Sequence, residues 1–150
     1  MKVQEIVNPE VYCALPSDTV ASVAQQMKRH NIGFVPICEK DKLVGVITDR
    51  DITLECVATG LDPKQIQVGH LMTSKPVTVN SDIDLKDCAE IMAREQIRRL
   101  PVVNHEGKLI GVISLGDLAC AFQDDRLVAD TLRRISTPVR GAVKPAAEAA

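Results

Sequence analysis

Two copies of one short motif place a hydroxyl and a carboxylate at the end of an apolar run. The first copy is GVITDRD, in which Thr48 and Asp51 follow the apolar residues. The second copy is GVISLGD, in which Ser114 and Asp117 take the same places. A hydroxyl can donate a hydrogen bond to a phosphate, and a carboxylate can accept two hydrogen bonds from the vicinal hydroxyls of a ribose. The pattern therefore predicts a nucleotide cradle, and predicts it twice.

The same spacing also has a purely structural explanation. A Ser or Thr followed three residues later by an acid can form a capping box, in which each side chain accepts a hydrogen bond from the other residue's backbone N–H at the start of a helix. A cap of this kind contributes about 1 kcal/mol to stability. Both motifs can therefore arise without any ligand, and the residues alone leave nucleotide binding and helix capping open.

Composition narrows the class of protein. The chain has 150 residues, of which 45% are hydrophobic and 25% charged, so it can bury one core or two small ones. The formal net charge is -2 and no basic block occurs, which argues against a nucleic-acid partner. No apolar run is long enough for a membrane span, and the N-terminus lacks the apolar stretch of a signal peptide. We expect a cytoplasmic protein that binds neither nucleic acid nor membrane.

The cysteines indicate neither a disulfide framework nor a metal site. Their number is odd, no C-x-x-C occurs, and each lies among apolar neighbours, which favours small buried side chains. A redox role for Cys13 or Cys120 stays open. The five cysteines are Cys13, Cys38, Cys56, Cys88 and Cys120.

An internal repeat organises the chain. A shift of about sixty-five residues places VQEIVNP on VGHLMTS and FVPIC on LPVVN, and one extra residue in the second turn then brings GVIT onto GVIS. The repeat predicts two similar units. The first unit is predicted to be a domain over 1–60 and the second a domain over 68–125, joined by a linker over 61–67. A C-terminal helix over 126–136 and a disordered tail over 137–150 are predicted to follow.

Each half has the predicted element order β-α-β-β-α. In the second half, PVTV precedes an amphipathic helix with Ser81 or Asp82 as its cap, then come LPVV, KLIGVIS and a helix from about Asp117. The first half repeats this order with VYC, a helix over about 18–29, FVPIC, KLVGVIT and a helix from about Asp51. One such half leaves an apolar sheet face uncovered. We therefore expect a mixed α+β fold in which two sheets pack together about a pseudo-two-fold axis.

Over about residues 1–122 the chain resembles a tandem pair of cystathionine β-synthase (CBS) domains, the Bateman module. The resemblance rests on LPSDTVASVAQQM, GFVPIC and GVITDRDI, and again on VNSDIDLKDCAEIM, RRLPVV and GVISLGDL. It implies a regulatory module that binds an adenosine-containing ligand in clefts between the domains: AMP, ADP or ATP ahead of S-adenosylmethionine or NADH. It also implies a homodimer that signals by conformational change to a protein partner.

By position, the resemblance assigns Asp51 and Asp117 to the ribose, and Thr48 and Ser114 to the neighbourhood of the phosphates. Phe34 has two interpretations, as a wall for adenine or as part of the core, and we expect its ring in the core. The complete predicted set of binding residues is Phe34, Pro36, Thr48, Arg50, Asp51, Val77, Arg98, Arg99, Pro101, Ser114 and Asp117.

The two predicted clefts differ in their arginines. Arg50 has Gly116 as its repeat counterpart, whereas Arg98 and Arg99 correspond to the uncharged pair 33–34. Guanidinium groups facing a cleft favour a charged nucleotide. The alternative is that the basic run only stabilises the carbonyls at the end of the preceding helix.

No arrangement of residues in the chain indicates catalysis. Neither a Ser-His-Asp nor a Cys-His spacing occurs, and there is no phosphate-binding glycine loop. We therefore expect no enzyme activity, no catalytic cofactor and no metal. The alternative to a nucleotide sensor is a ligand-independent dimeric adaptor or stress-response protein, in which the Thr-x-x-Asp motifs only cap helices.

Overall fold

Two three-stranded sheets with helices packed against them form the protein, and the predicted mixed α+β fold is confirmed. The computed structural model describes residues 1–138. Most of the predicted disordered tail, residues 139–150, lies outside this described range.

The two sheets have related strand orders. The first sheet runs β1-β2-β3 and is antiparallel throughout. The second runs β4-β5-β6, with β4 parallel to β5 and β5 antiparallel to β6. The strands are β1 (Phe34–Glu39), β2 (Lys42–Thr48), β3 (Thr73–Ser74), β4 (Val79–Asn80), β5 (Arg99–Val103) and β6 (Leu109–Ser114).

Within residues 1–138, five α-helices accompany the two sheets. They are α1 (Val20–His30), α2 (Asp49–Asp51), α3 (Leu85–Glu95), α4 (Leu115–Ala121) and α5 (Asp125–Ser136), and α2 continues as a π-helix over Ile52–Val57. None of the helices within residues 1–138 is long and apolar enough to cross a membrane.

The first helix of each repeat begins and ends in the same way. Helix α1 follows Thr19, whose hydroxyl accepts a hydrogen bond from the backbone N–H of Ser22, and it ends at Asn31 in the left-handed conformation. Helix α3 follows Asp84 and ends at Gln96 in the same conformation. The residue before α3 is therefore Asp84, and the predicted caps Ser81 and Asp82 lie upstream of it.

The predicted strand VYC does not form. In its place, Ala14 alone makes a parallel bridge to Ile37 at the edge of the first sheet. The repeat counterpart of this bridge is the two-residue strand β4, which pairs with β5. The outer strand of each sheet is thus reduced to one or two residues.

A pseudo-two-fold axis passes between the starts of β2 and β6. Lys42 forms an antiparallel bridge with Lys108, its own counterpart in the repeat. The flanking hydrogen bonds are reciprocal: Leu43 N–H donates to the Gly107 carbonyl at 3.3 Å, and Leu109 N–H donates to the Asp41 carbonyl at 3.3 Å. Equivalent residues therefore pair with each other across the axis.

The two halves exchange the segments that precede their first strands. Val3 is fully buried in the core of the second half, whereas Val68 is fully buried in the core of the first half. Strand β3, which follows Val68 in the chain, pairs with β2 of the first half, and Asn8 bridges to Val112 of the second half in the corresponding way. Each core therefore depends on a segment from the other side of the repeat boundary.

Helix α5 completes the second half. Ile135 packs into the second core, and Arg134 makes a bidentate ion pair with Glu90 of α3 at 2.6 and 2.7 Å. This hydrogen-bonded pair lowers the pKa of Glu90 below its usual range. Gln96, at the end of α3, donates to backbone carbonyls of Arg134 and Thr137.

We predict that Val3→Ala destabilises the protein by about 2 kcal/mol, because it leaves a cavity in the second core. Urea unfolding monitored by circular dichroism measures the loss. The matched control is Val77→Ala, since Val77 is 38% exposed and lies in neither core, so its truncation leaves no core cavity. Equal stabilities for the two variants would show that the exchanged segment does not support the second core.

Candidate functional site

Both Thr/Ser-x-x-Asp motifs form complete capping boxes. The Thr48 N–H donates to Asp51 Oδ2 at 2.9 Å, and the Asp51 N–H donates to Thr48 Oγ1 at 3.1 Å. The corresponding distances in the second motif are 2.7 Å to Asp117 Oδ2 and 3.1 Å to Ser114 Oγ. The structural explanation of the motifs is therefore present in the geometry.

Capping leaves half of each carboxylate free. Both capping boxes use only Oδ2, and within residues 1–138 no hydrogen bond reaches Oδ1 of Asp51 or Asp117. The two motifs differ at the hydroxyl, because Ser114 Oγ–H donates to Asp117 Oδ2 at 2.6 Å while Thr48 makes no such bond. Each half-buried carboxylate thus retains an acceptor for a ligand.

The first motif opens onto a cleft between the two halves, which we name the Asp51 cleft. Its volume is about 520 Å³, which falls within the usual range of ligand pockets. The first half supplies the capping motif and the second half supplies the facing wall. Its lining comprises Gly33, Phe34, Val46, Thr48, Asp49, Arg50, Asp51, Thr73, Pro76, Val77, Gln96, Ile97, Arg98, Arg99 and Pro101.

The second motif opens onto a smaller cleft of about 290 Å³, which we name the Asp117 cleft. Here the second half supplies the capping motif, and the first half supplies most of the facing wall. Phe34 and Arg99 line both clefts. The lining comprises Asn8, Glu10, Val11, Tyr12, Asn31, Ile32, Gly33, Phe34, Arg99, Val112, Ser114 and Asp117.

Of the predicted binding residues, all but one line a cleft. Pro36 is buried in β1, where its carbonyl accepts a hydrogen bond from the Ala14 N–H at 3.0 Å, and it lines neither cleft. Its repeat counterpart Pro101 lines the Asp51 cleft. Phe34 is half-buried and belongs to neither core, so the expectation of a core position for its ring is wrong.

The arginines of the Asp51 cleft are free of ion pairs. Arg50, Arg98 and Arg99 are exposed, and no carboxylate within residues 1–138 forms an ion pair with any of them. The cleft also contains Asp49, which packs so closely on Gly33 that a Cβ there would lie 2.6 Å from Asp49 Oδ2. The Asp51 cleft thus has three arginines against two carboxylates.

The Asp117 cleft has the opposite balance of charge. Arg99 is the single arginine in its lining, which also includes the carboxylates of Glu10 and Asp117. An anion is therefore attracted more strongly to the Asp51 cleft than to the Asp117 cleft.

Tyr12 is a cleft residue that the sequence analysis missed. It lines the Asp117 cleft and stacks on His30, with ring centroids 5.5 Å apart and planes at 26°. Burial raises the pKa of its phenol, so the hydroxyl is protonated at neutral pH and can donate a hydrogen bond. The internal repeat could have identified Tyr12, because it is the counterpart of Val77, which was predicted to line a cleft.

The expectation that all the cysteines are buried is wrong for three of them. Cys13 and Cys120 are exposed and Cys38 is half-buried. Cys56 and Cys88 are buried as expected, and burial raises the pKa of Cys88 to about 12. Within residues 1–138 no group of three His, Cys, Asp or Glu side chains is arranged to hold a metal ion.

The chain belongs to the CBS domain family, whose model matches residues 3–57 and 68–124. Among curated proteins, it is 37% identical over 134 residues to the CBS domain-containing protein YhcV of Bacillus subtilis, covering 89% of this chain and 94% of that one.

Two solved structures with the same fold contain adenosine compounds. CBSX2 in complex with AMP superposes with a TM-score of 0.70 at 29% identity, covering 80% of this chain and 94% of that chain. The CBS domain pair of MJ0100, in complex with 5-methylthioadenosine and S-adenosyl-L-methionine, gives a TM-score of 0.71 at 25% identity, covering 80% and 94%.

Proposed function

We propose that the protein is a regulatory module that binds an adenine nucleotide, with AMP, ADP or ATP in the Asp51 cleft. The observation that carries this proposal is the free Oδ1 of Asp51 beside three unpaired arginines in a cleft of about 520 Å³. S-adenosylmethionine and NADH rank behind these nucleotides as ligands.

The carboxylate of Asp51 is suited to the ribose. Its Oδ2 is fixed by the Thr48 N–H at 2.9 Å, which orients the carboxylate while Oδ1 stays available. Two vicinal hydroxyls can then donate to the two oxygens, since each oxygen has more than one lone pair. Because the cap already fixes the side chain, little conformational entropy is lost on binding.

The arginines are suited to the phosphate. A guanidinium donates two parallel hydrogen bonds to a phosphate, and Arg50, Arg98 and Arg99 lie in the same cleft without competing carboxylate partners among the described residues. Thr48 adds a hydroxyl donor. The Asp117 cleft, with its excess of carboxylates, suits a ligand of lower negative charge.

The complexes of CBSX2 with AMP and of MJ0100 with 5-methylthioadenosine and S-adenosyl-L-methionine support an adenosine compound as the ligand class. Each cleft of this chain is lined from both halves, so a ligand that contacts both walls stabilises one relative position of the halves. We propose that a protein partner recognises the resulting change in the relative position of the halves. We also propose that the chain itself is not an enzyme.

We further propose that the chain is a homodimer. Leu54, Val57 and Leu61 follow the Asp51 motif closely and are 44%, 66% and 40% exposed, which is a group of large apolar side chains on one segment.

We predict a dimer in analytical ultracentrifugation and a shift toward monomer for Leu54→Glu/Val57→Glu. A wild-type protein that sediments as a monomer at every concentration would contradict this.

For the ribose contact, we predict that Asp51→Asn weakens AMP binding about 10- to 100-fold, because a hydrogen bond to a charged group is lost. The amide oxygen can still accept from the Thr48 N–H, so the melting temperature of the free protein should stay close to that of the wild type. Isothermal titration calorimetry with AMP measures the affinity.

The matched control is Asp117→Asn, which makes the same change in the other cleft and should leave AMP binding in the Asp51 cleft unaltered. If the wild type binds no AMP, or if Asp51→Asn binds it equally well, the alternative of a ligand-independent adaptor with purely structural caps is favoured.

For the phosphate contact, we predict that Arg98→Ala weakens AMP binding about tenfold and leaves adenosine binding unchanged, since only AMP carries the charge that the guanidinium contacts. Titrations of both compounds measure the difference. Arg94→Ala is the control, because Arg94 pairs with Glu95 at 2.8 Å and lines neither cleft. Equal losses for AMP and adenosine would place Arg98 away from the phosphate.

A further inference from the structure

Two thiols from separate segments meet in a surface pocket that is distinct from both nucleotide clefts. We propose that Cys13 and Cys38 form a redox-active dithiol, which low-molecular-weight disulfides oxidise to an intramolecular Cys13–Cys38 disulfide. The inference does not depend on nucleotide binding.

Backbone pairing brings the two cysteines together. Ala14 forms a parallel bridge with Ile37, the Ala14 N–H donates to the Pro36 carbonyl at 3.0 Å, and the Cys38 N–H donates to the Ala14 carbonyl at 2.9 Å. Cys13 precedes this bridge and Cys38 follows it. Both line one pocket of about 360 Å³, together with Asp41 and Lys108.

The two thiols are chemically unequal, because their pKa values are shifted in opposite directions. The neighbouring Cys38 thiol lowers the pKa of Cys13, whereas the neighbouring Cys13 thiol, followed by burial, raises the pKa of Cys38. Cys13 is also the more exposed of the two. Cys13 is therefore suited to attack an oxidant first, and Cys38 is placed to resolve the product.

The reaction consists of two thiol–disulfide exchanges. The Cys13 thiolate attacks one sulfur of glutathione disulfide, the S–S bond of the oxidant breaks, and one glutathione leaves as its thiolate. Cys38 then loses its proton and attacks Cys13 Sγ in the mixed disulfide, which releases the second glutathione. Two protein thiols are oxidised to one disulfide, and one glutathione disulfide is reduced to two glutathione molecules.

The fold does not require thiols at these positions. The repeat counterparts of Cys13 and Cys38 are Thr78 and Val103, and the second half forms the corresponding pairing of β4 with β5 without any thiol there. A disulfide would fix the chain beside Val11 and Tyr12, which line the Asp117 cleft. The dithiol is thus a feature of the first half alone.

The test uses the full chain carrying Cys120→Ser, which removes the other exposed thiol. After treatment with glutathione disulfide, the free-thiol count of the denatured protein should fall by two, the intact mass should fall by two hydrogen atoms, and peptide mapping should join residues 13 and 38. Adding Cys13→Ser or Cys38→Ser should abolish the internal disulfide and leave at most a glutathione adduct.

The pH dependence of alkylation tests the roles of the two thiols. Cys38 lowers the pKa of Cys13, so Cys38→Ala should move the midpoint of Cys13 alkylation by iodoacetamide to higher pH. An unchanged midpoint would overturn the assignment of Cys13 as the attacking thiol. The dithiol itself is refuted if the Cys120→Ser protein acquires only glutathione adducts or forms only disulfides between chains.

Discussion

The reciprocal exchange of Val3 and Val68 is the constraint on which the rest of the structure depends. Each is fully buried in the core of the half to which it does not belong by sequence order. The backbone bridge between Lys42 and Lys108 fixes the axis that relates the halves. Because the two cores share segments in this way, neither half can move far without exposing apolar surface, and the clefts between them have a defined shape.

Helix capping and ligand binding are compatible at the Thr/Ser-x-x-Asp motifs. The cap uses one carboxylate oxygen of Asp51 and one of Asp117, and it holds each side chain in a single orientation. A carboxylate held in this way faces the cleft before a ligand arrives. The structural role therefore prepares the binding role, and the presence of a complete capping box is no argument against a nucleotide.

The sequence predicts the parts of the protein that depend on local pattern. The repeat located both capping motifs, and apolar spacing located the helix from Leu85. The exchange of Val3 and Val68 was not predicted, since it is a tertiary contact that local pattern does not encode. The same limit applies to Cys13 and Cys38, which are far apart in the chain and meet only through the bridge at the sheet edge.

The two halves share a backbone arrangement but differ in the side chains that face the clefts. Both motifs cap a helix with nearly equal distances, so capping alone gives no reason for the clefts to differ. The difference lies in the walls: Arg50 corresponds to Gly116, and Arg98 corresponds to Gly33. Since the capping geometry is common to both, the clefts differ in the charges around the capping box, both beside the aspartate and on the facing wall.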